Sequence, residues 1–136
     1  MVKMPKEAMD LLNERPLVTK VLGTYDAVGT PNAVPKETLS AIDEETIAFA
    51  DIWGDKTNVN LKANNKTPVA VFKIEVPPVG YQIKGTFQGF QTSGPVFDNF
   101  AKAVKEMLNL DIKAVGVIKV DEVYSTAPPN PGAKIA

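Results

Sequence analysis

The most regular pattern in the chain is a two-residue alternation. Tyr81, Ile83, Gly85, Phe87 and Gly89 fall on one side, and Gln82, Lys84, Thr86 and Gln88 on the other. Only an extended strand gives residues i, i+2 and i+4 a common face, so this stretch is a β-strand with one buried side. Three glycines in and beside it (Gly80, Gly85, Gly89) point to tight bending, or to close approach of another backbone or a ligand. One strand cannot be stable alone, so the rest of the chain must supply its neighbours.

It supplies them as short β-rich runs separated by turn residues. Residues 17–26, 32–42, 46–52, 69–75 and 114–120 read as strands, giving six with the alternating one; Val123 and Tyr124 extend the last. Pro35 falls inside the second run. It has no N–H for a ladder, so that run is expected at a sheet edge or facing something other than a strand. Three helices complete the order. Residues 5–13 start on Pro5 and end before Pro16. Residues 55–64 are expected to be capped by Asp55 or Thr57, with Val59 and Ala63 one turn apart. The third follows Ser93-Gly94-Pro95, where Phe97, Phe100, Ala101, Val104, Met107 and Leu108 form an apolar stripe. Successive hairpins without regular βαβ alternation predict a mainly β protein, a six-stranded antiparallel barrel with flanking helices. Residues 1–124 read as a single domain, and 125–136 as a Pro-rich tail, extended or disordered. With 136 residues, 44% of them hydrophobic, folding buries roughly two-thirds of the open chain's surface, enough for a proper core.

Composition then limits the chemistry. The chain has no histidine and no cysteine. Ser-His-Asp and Cys-His nucleophile systems, disulfides, histidine-based metal sites and a histidine-ligated haem are therefore excluded, and no metal site is expected. What remains is carboxylates, lysines, hydroxyls, backbone amides or a borrowed cofactor. Gly80 and Gly85 have phosphate-loop spacing, but Thr86-Phe87 follow where Lys-Ser/Thr is needed, and no G-x-G-x-x-G opens a helix after a strand. Asp43-Glu44-Glu45 reads as a solvated turn. A net charge of −1 with a pI near 5.5 argues against a nucleic-acid binder, although Tyr81, Phe87 and Phe90 could serve as stacking platforms for a single strand. No uncharged apolar run approaches the roughly 18–20 residues of a membrane span. Residues 1–7 mix charges with no apolar core, so no secretory signal is read and a cytoplasmic location is expected.

Two segments carry candidate binding residues. In Ala50-Asp51-Ile52-Trp53-Gly54-Asp55-Lys56-Thr57 a strand ends, a glycine lets the chain turn, and a helix begins with a lysine and a threonine. Free amides and the positive helix end make such a place an anion site, with Lys56 and Thr57 adding a charge and a hydroxyl; the plainer reading of Lys56 is a solvated lysine. Trp53, the sole tryptophan, either stacks on a flat ligand or, more often for such a residue, packs on the barrel. Val34-Pro35-Lys36 is the second segment: a strand freed from pairing by Pro35 could face the polar edge of a heterocycle, with Lys36 lending charge, or Lys36 could simply be exposed.

Taken in order, these segments resemble the FMN-binding split-barrel family, which includes pyridoxamine 5'-phosphate oxidases and the small bacterial FMN-binding proteins. The likeness runs over nearly the whole chain, from the N-terminal helix through Pro35-Lys36, Asp55-Lys56-Thr57, Asn60-Leu61 and Pro68-Val69-Ala70-Val71. It includes the run from Ile83-Lys84-Gly85-Thr86-Phe87 to Gly94-Pro95-Val96-Phe97. The resemblance implies a homodimer with FMN in a groove between subunits. Phosphate would lie near Lys56 and Thr57, and the ring along Val34, Pro35 and Lys36 and along Ala50, Asp51, Ile52 and Trp53. The implied role is an oxidoreductase or small electron carrier working through flavin N5 with a small-molecule or protein redox partner; a non-catalytic flavin-binding barrel is the alternative. The Arg-His pair that holds substrate near the C-terminus of pyridoxamine phosphate oxidases has no counterpart here, which argues against that oxidase activity itself.

Overall fold

The computed structural model describes residues 1–136. Its elements follow one another as α1 (Lys6–Asn13), β1 (Thr19–Tyr25), β2 (Pro31–Pro35), β3 (Ser40–Asp43), β4 (Thr46–Asp51), α2 (Lys56–Ala63), β5 (Lys66–Lys73), β6 (Val79–Gln91), α3 (Pro95–Leu108) and β7 (Ala114–Ser125). The strands form one antiparallel sheet in the order β2-β1-β5-β6-β7-β4-β3.

That order forces the sheet to roll up. β2 and β3 are its two outer strands, yet only residues 36–39 join them. Laid flat, the two edges would stand about 29 Å apart at the usual inter-strand spacing. The chain from Pro35 to Ser40 reaches at most about 18 Å. The edges must therefore curl towards each other, and residues 36–39 become the seam. Leu39, fully buried, anchors the seam in the core. The Lys36 N–H donates to the Lys20 carbonyl at 2.9 Å, and the Ala50 N–H donates to Thr38 Oγ1 at 3.0 Å, so the seam is tied to β1 on one side and β4 on the other.

Here the structure corrects the strand count from six to seven. Residues 32–42, one strand by sequence, are two strands that pair at opposite ends of the sheet. Both halves are β-rich, and the only local sign of a change of partner is Pro35, which ends the β2 ladder at its pairing with Val21. The edge position inferred for Pro35 is the one it occupies.

Alternation in β6 is realised as burial: Ile83, Gly85 and Phe87 face inward and Gln82, Lys84 and Gln88 outward. Of its three glycines, Gly85 serves the close approach of another backbone. A Cβ on Gly85 would stand 2.7 Å from the Lys119 carbonyl oxygen and 2.5 Å from Ile118 Cγ2, at a bulge where β6 presses on β7. The core collects Leu22, Ile47, Phe49, Val69, Val71, Ile83, Phe87, Ile118 and Val123 from the sheet, and α1 adds Leu11 and Leu12. α2 turns a largely polar face inward. Thr57, Asn60 and Leu61 are buried, while Val59 is 63% exposed. Nor does the tail run free. β4 stops pairing at Lys119, which leaves the end of β7 with an open edge, and residues 133–136 double back onto it. Ser125 N–H donates to Ala133 O at 2.9 Å, and Ile135 N–H to Val123 O at 2.8 Å. No helix is long and apolar enough to cross a membrane.

One buried residue breaks the apolar pattern. Lys20 shares the inward side of β1 with Leu22 and Thr24, and its side chain is 0% exposed. Its Nζ donates to the Glu37 carbonyl at 3.4 Å and lies 3.9 Å from Glu37 Oε1. Burial, assisted by the charge of Arg15, pushes the Lys20 ammonium down to about 8, against the pull of Glu37 and Glu14.

Two outcomes follow from this packing. Gly85→Ala drives a methyl into a carbonyl that cannot move aside, and should lower unfolding free energy by about 1–3 kcal/mol in urea titrations; an unchanged midpoint would contradict the close approach. Between pH 8 and 10.5 the folded chain sheds the Lys20 proton while the unfolded chain keeps it, so this group makes stability rise with pH across that window. Relative to Lys20→Met, the parent protein should gain up to about 3 kcal/mol over the interval. Parallel stability curves for the two would show that Lys20 is not held this way.

Candidate functional site

On the β2 side of the seam, Asn32, Val34, Pro35, Lys36, Trp53, Gly54, Asp55, Lys56 and Thr57 line one open groove of about 330 Å³. Of the nine residues singled out from sequence, Val34, Pro35, Lys36, Trp53, Lys56 and Thr57 meet there. Ala50 and Asp51 are buried beside it at the end of β4, and Ile52 is half-buried in the turn that follows. The topology explains the meeting. β2 ends at Pro35, β4 ends at Asp51, and the seam holds both strand ends at the same place.

The local construction differs from the sequence reading at three side chains. Asp55 makes no capping hydrogen bond to α2. Asp51 shapes the entry to the helix instead, without capping its amides. Its Oδ1 accepts the Gly54 N–H at 2.8 Å and its Oδ2 accepts Asn58 Nδ2 at 2.9 Å, so one buried carboxylate ties the turn to the first turn of the helix. Gly54 is required for the fit: a Cβ there would stand 2.5 Å from Asn58 Nδ2 and press on Asp51 Oδ1. Asn58 Oδ1 is buried without a partner.

Thr57 is also more structural than a surface hydroxyl. It is 5% exposed, and its Oγ1 accepts Asn32 Nδ2 at 3.4 Å. Beneath it Asn60 Nδ2 donates to Thr24 Oγ1 at 3.1 Å, which completes a polar floor that also explains why α2 turns polar residues inward. Trp53, for which packing on the barrel is the usual expectation, is 75% exposed at the rim. Asn32, Asn58 and Asn60 had no sequence signal, because an asparagine in a strand or short helix is ordinary until its partner is known.

Electrostatically the groove is mixed. Lys36 Nζ sits 5.4 Å from the centre of the Phe49 ring. Burial lowers the Lys36 ammonium from its ordinary value, and the Asp51 carboxylate opposes that shift. Lys56 is exposed at the mouth, and Asp55 places one carboxylate on the same rim. The amides of the first turn of α2 have no acceptor within the helix, as at any helix start. The groove thus offers two cations, free N–H groups and the unpaired outer edge of β2 to a ligand that carries an anionic group and a flat polar edge.

The stacking platform considered for a nucleic acid does not form. Phe87 is buried in the core, and Phe90 packs edge-on against Phe87 and Phe49 with ring centres 4.9 and 6.2 Å apart.

Comparison with known proteins agrees with this architecture. The family described as pyridoxamine 5'-phosphate oxidase matches residues 4–127. No curated protein matches the sequence significantly. Among solved structures, HupZ of Group A Streptococcus is 27% identical with a TM-score of 0.82, covering 98% of this chain and 99% of its own. An FMN-binding protein from Syntrophomonas wolfei is 22% identical with a TM-score of 0.82, covering 92% and 87%. HutZ, a haem storage protein from Vibrio cholerae, is 13% identical with a TM-score of 0.66, covering 90% and 94%. The latter two likenesses speak to the fold alone. With the ordered sequence segments, the rolled antiparallel sheet and the family match in agreement, this chain belongs to the pyridoxamine 5'-phosphate oxidase family of split barrels.

Proposed function

We propose that the protein is an FMN-binding flavoprotein that works as a homodimer, either as a small oxidoreductase or as a one-domain electron carrier. The observation that carries this reading is the convergence of Lys36, Lys56, the open amides of α2 and the free edge of β2 in a single groove. These groups fit the two polar parts of FMN. Lys56 and the first-turn amides would hold the phosphate, with Thr57 supporting them through Asn32. The outer edge of β2 beside Lys36 would bond the pyrimidine edge of the ring, and the Lys36 charge would favour electron density there. When bound, FMN supplies a centre that accepts and returns a hydride or electrons at N5, chemistry that no side chain of a protein lacking cysteine and histidine offers.

A second copy of the chain has a clear role in this reading. The groove is open and at the small end of ligand pockets, which run from about 300 to 1,000 Å³. It can wall only one side of a molecule as large as FMN. Trp53 stands exposed at its rim, and covering it would bury apolar surface now facing water.

Haem is the competing cofactor, because HutZ shares the fold. With no histidine or cysteine, iron would need a tyrosine, methionine or lysine ligand; the groove presents neither of the first two, and Lys36 or Lys56 would have to give up its proton and charge to ligate. Flavin makes no such demand.

Titration of the apoprotein with FMN and with riboflavin tests the assignment. FMN should bind at least tenfold more tightly, since only it carries the phosphate, and Lys56→Ala should remove about tenfold or more of that affinity. Equal binding of the two flavins, or an unaltered Lys56→Ala protein, would count against the phosphate site. Asp51→Ala, which unpins the Gly54 turn, should weaken FMN and speed hydrogen exchange at the Gly54 amide together. Bleaching of the bound flavin by a nicotinamide reductant would separate a redox protein from a storage protein.

A further inference from the structure

A second cavity lies on the other side of the seam. It occupies about 400 Å³ between the end of α1, β3 and α3, where Arg15 and Ser40 form one wall and Phe100, Ala103 and Met107 the other. Thr38 lines it, whereas Lys36, two residues earlier, lines the first groove, so residues 36–39 divide the two. α3 brings a full apolar stripe but packs only Val104 completely; Phe100 is half-buried and Met107 is 56% exposed. The apolar wall therefore faces an open space, not a packed neighbour.

Arg15 gives that space its polar character. It is the only arginine in the chain. All eight ion pairs of the protein use lysine, and Arg15 enters none of them. Its neighbour Glu14 is engaged by Lys73 at 2.5 Å instead. Arg15 Nη2 donates to Ser40 Oγ at 2.7 Å and to the Leu39 carbonyl at 3.5 Å, which fixes the guanidinium plane at the cavity. Its Nη1 and Nε make no hydrogen bond within the protein. A half-buried guanidinium without a counter-charge presents a rigid fork that matches a carboxylate. Asn13 on the same rim is already spent, because its side chain accepts the Ala41 N–H at 2.9 Å and donates to the Ala41 carbonyl at 3.2 Å.

We propose that this cavity is a binding site for a flat, apolar monocarboxylate such as an aromatic or fused-ring acid. The carboxylate pairs with Arg15, and the ring lies between Phe100 and Met107. A single positive charge balances a monoanion, whereas a phosphate dianion would keep an uncompensated charge next to an apolar wall. The site is separate from the flavin groove and does not depend on what that groove holds.

The test uses 1-naphthoate and its uncharged counterpart 1-naphthylmethanol on the full chain, followed by NMR. Naphthoate should bind saturably, move the Arg15 Nε–H and Met107 methyl resonances, and bind at least tenfold more tightly than the alcohol. Arg15→Gln should lose at least tenfold in naphthoate affinity. Because Arg15 also braces Ser40, Ala103→Trp provides a second variant: at an exposed helix position it fills the cavity, and it should abolish binding with thermal unfolding unchanged. Equal affinity for acid and alcohol, no saturable naphthoate binding, shifts confined to other residues, or full binding by Ala103→Trp would each overturn the proposal.

Discussion

Residues 36–39 have to join the two outer strands of a seven-stranded sheet, and the rest of the architecture follows from that short reach. A connection this short cannot span a flat sheet, so the sheet rolls until β2 and β3 are neighbours through the seam. Leu39 fills the core under it, Lys20 holds it through both backbone and side chain, and Thr38 ties it to β4. Burying a lysine to secure a turn is costly, and the depressed ammonium at Lys20 records that cost. The location of this lysine, at the point where the barrel closes, makes the cost intelligible.

Closure also decides where ligands can sit. It brings the ends of β2 and β4 together, and with them Pro35, Lys36 and the turn leading into α2. The outer edge of the end strand β2, next to a helix start, leaves backbone groups unpartnered at one spot. Asp51 and Gly54 then set the shape of the turn, while Thr24, Asn32, Thr57 and Asn60 give the groove a hydrogen-bonded floor. On the far face of the same seam, Arg15 and α3 enclose a cavity of different chemistry. One four-residue segment thus separates two concave surfaces.

Much of this was legible in the sequence, and the limits have physical causes. Alternation along β6 and the helical stripe of α3 are local patterns, and both elements formed. The candidate residues of the first groove were recognisable because helix starts and proline-broken strands have local markers. Residues 32–42 could not be divided from sequence, since a change of sheet partner leaves the β-propensity of both halves intact. The buried side of α2 has no local marker for a related reason: Thr57 and Asn60 turn inward only because a polar floor receives them. Lys20 sat at an inward parity in β1, a sign that was present but is easily taken for an outward lysine in a strand of mixed residues. The pairing of the tail was unreadable because its partner is the end of β7 that the shorter β4 leaves open, a long-range fact with no local sign.

Native mass spectrometry of the protein after incubation with FMN tests the central claim most directly, since it reads assembly and cofactor in one spectrum. The account predicts a dimer that retains two FMN molecules, one for each groove. A monomer, or a dimer that leaves FMN unbound at saturating concentration, would contradict it.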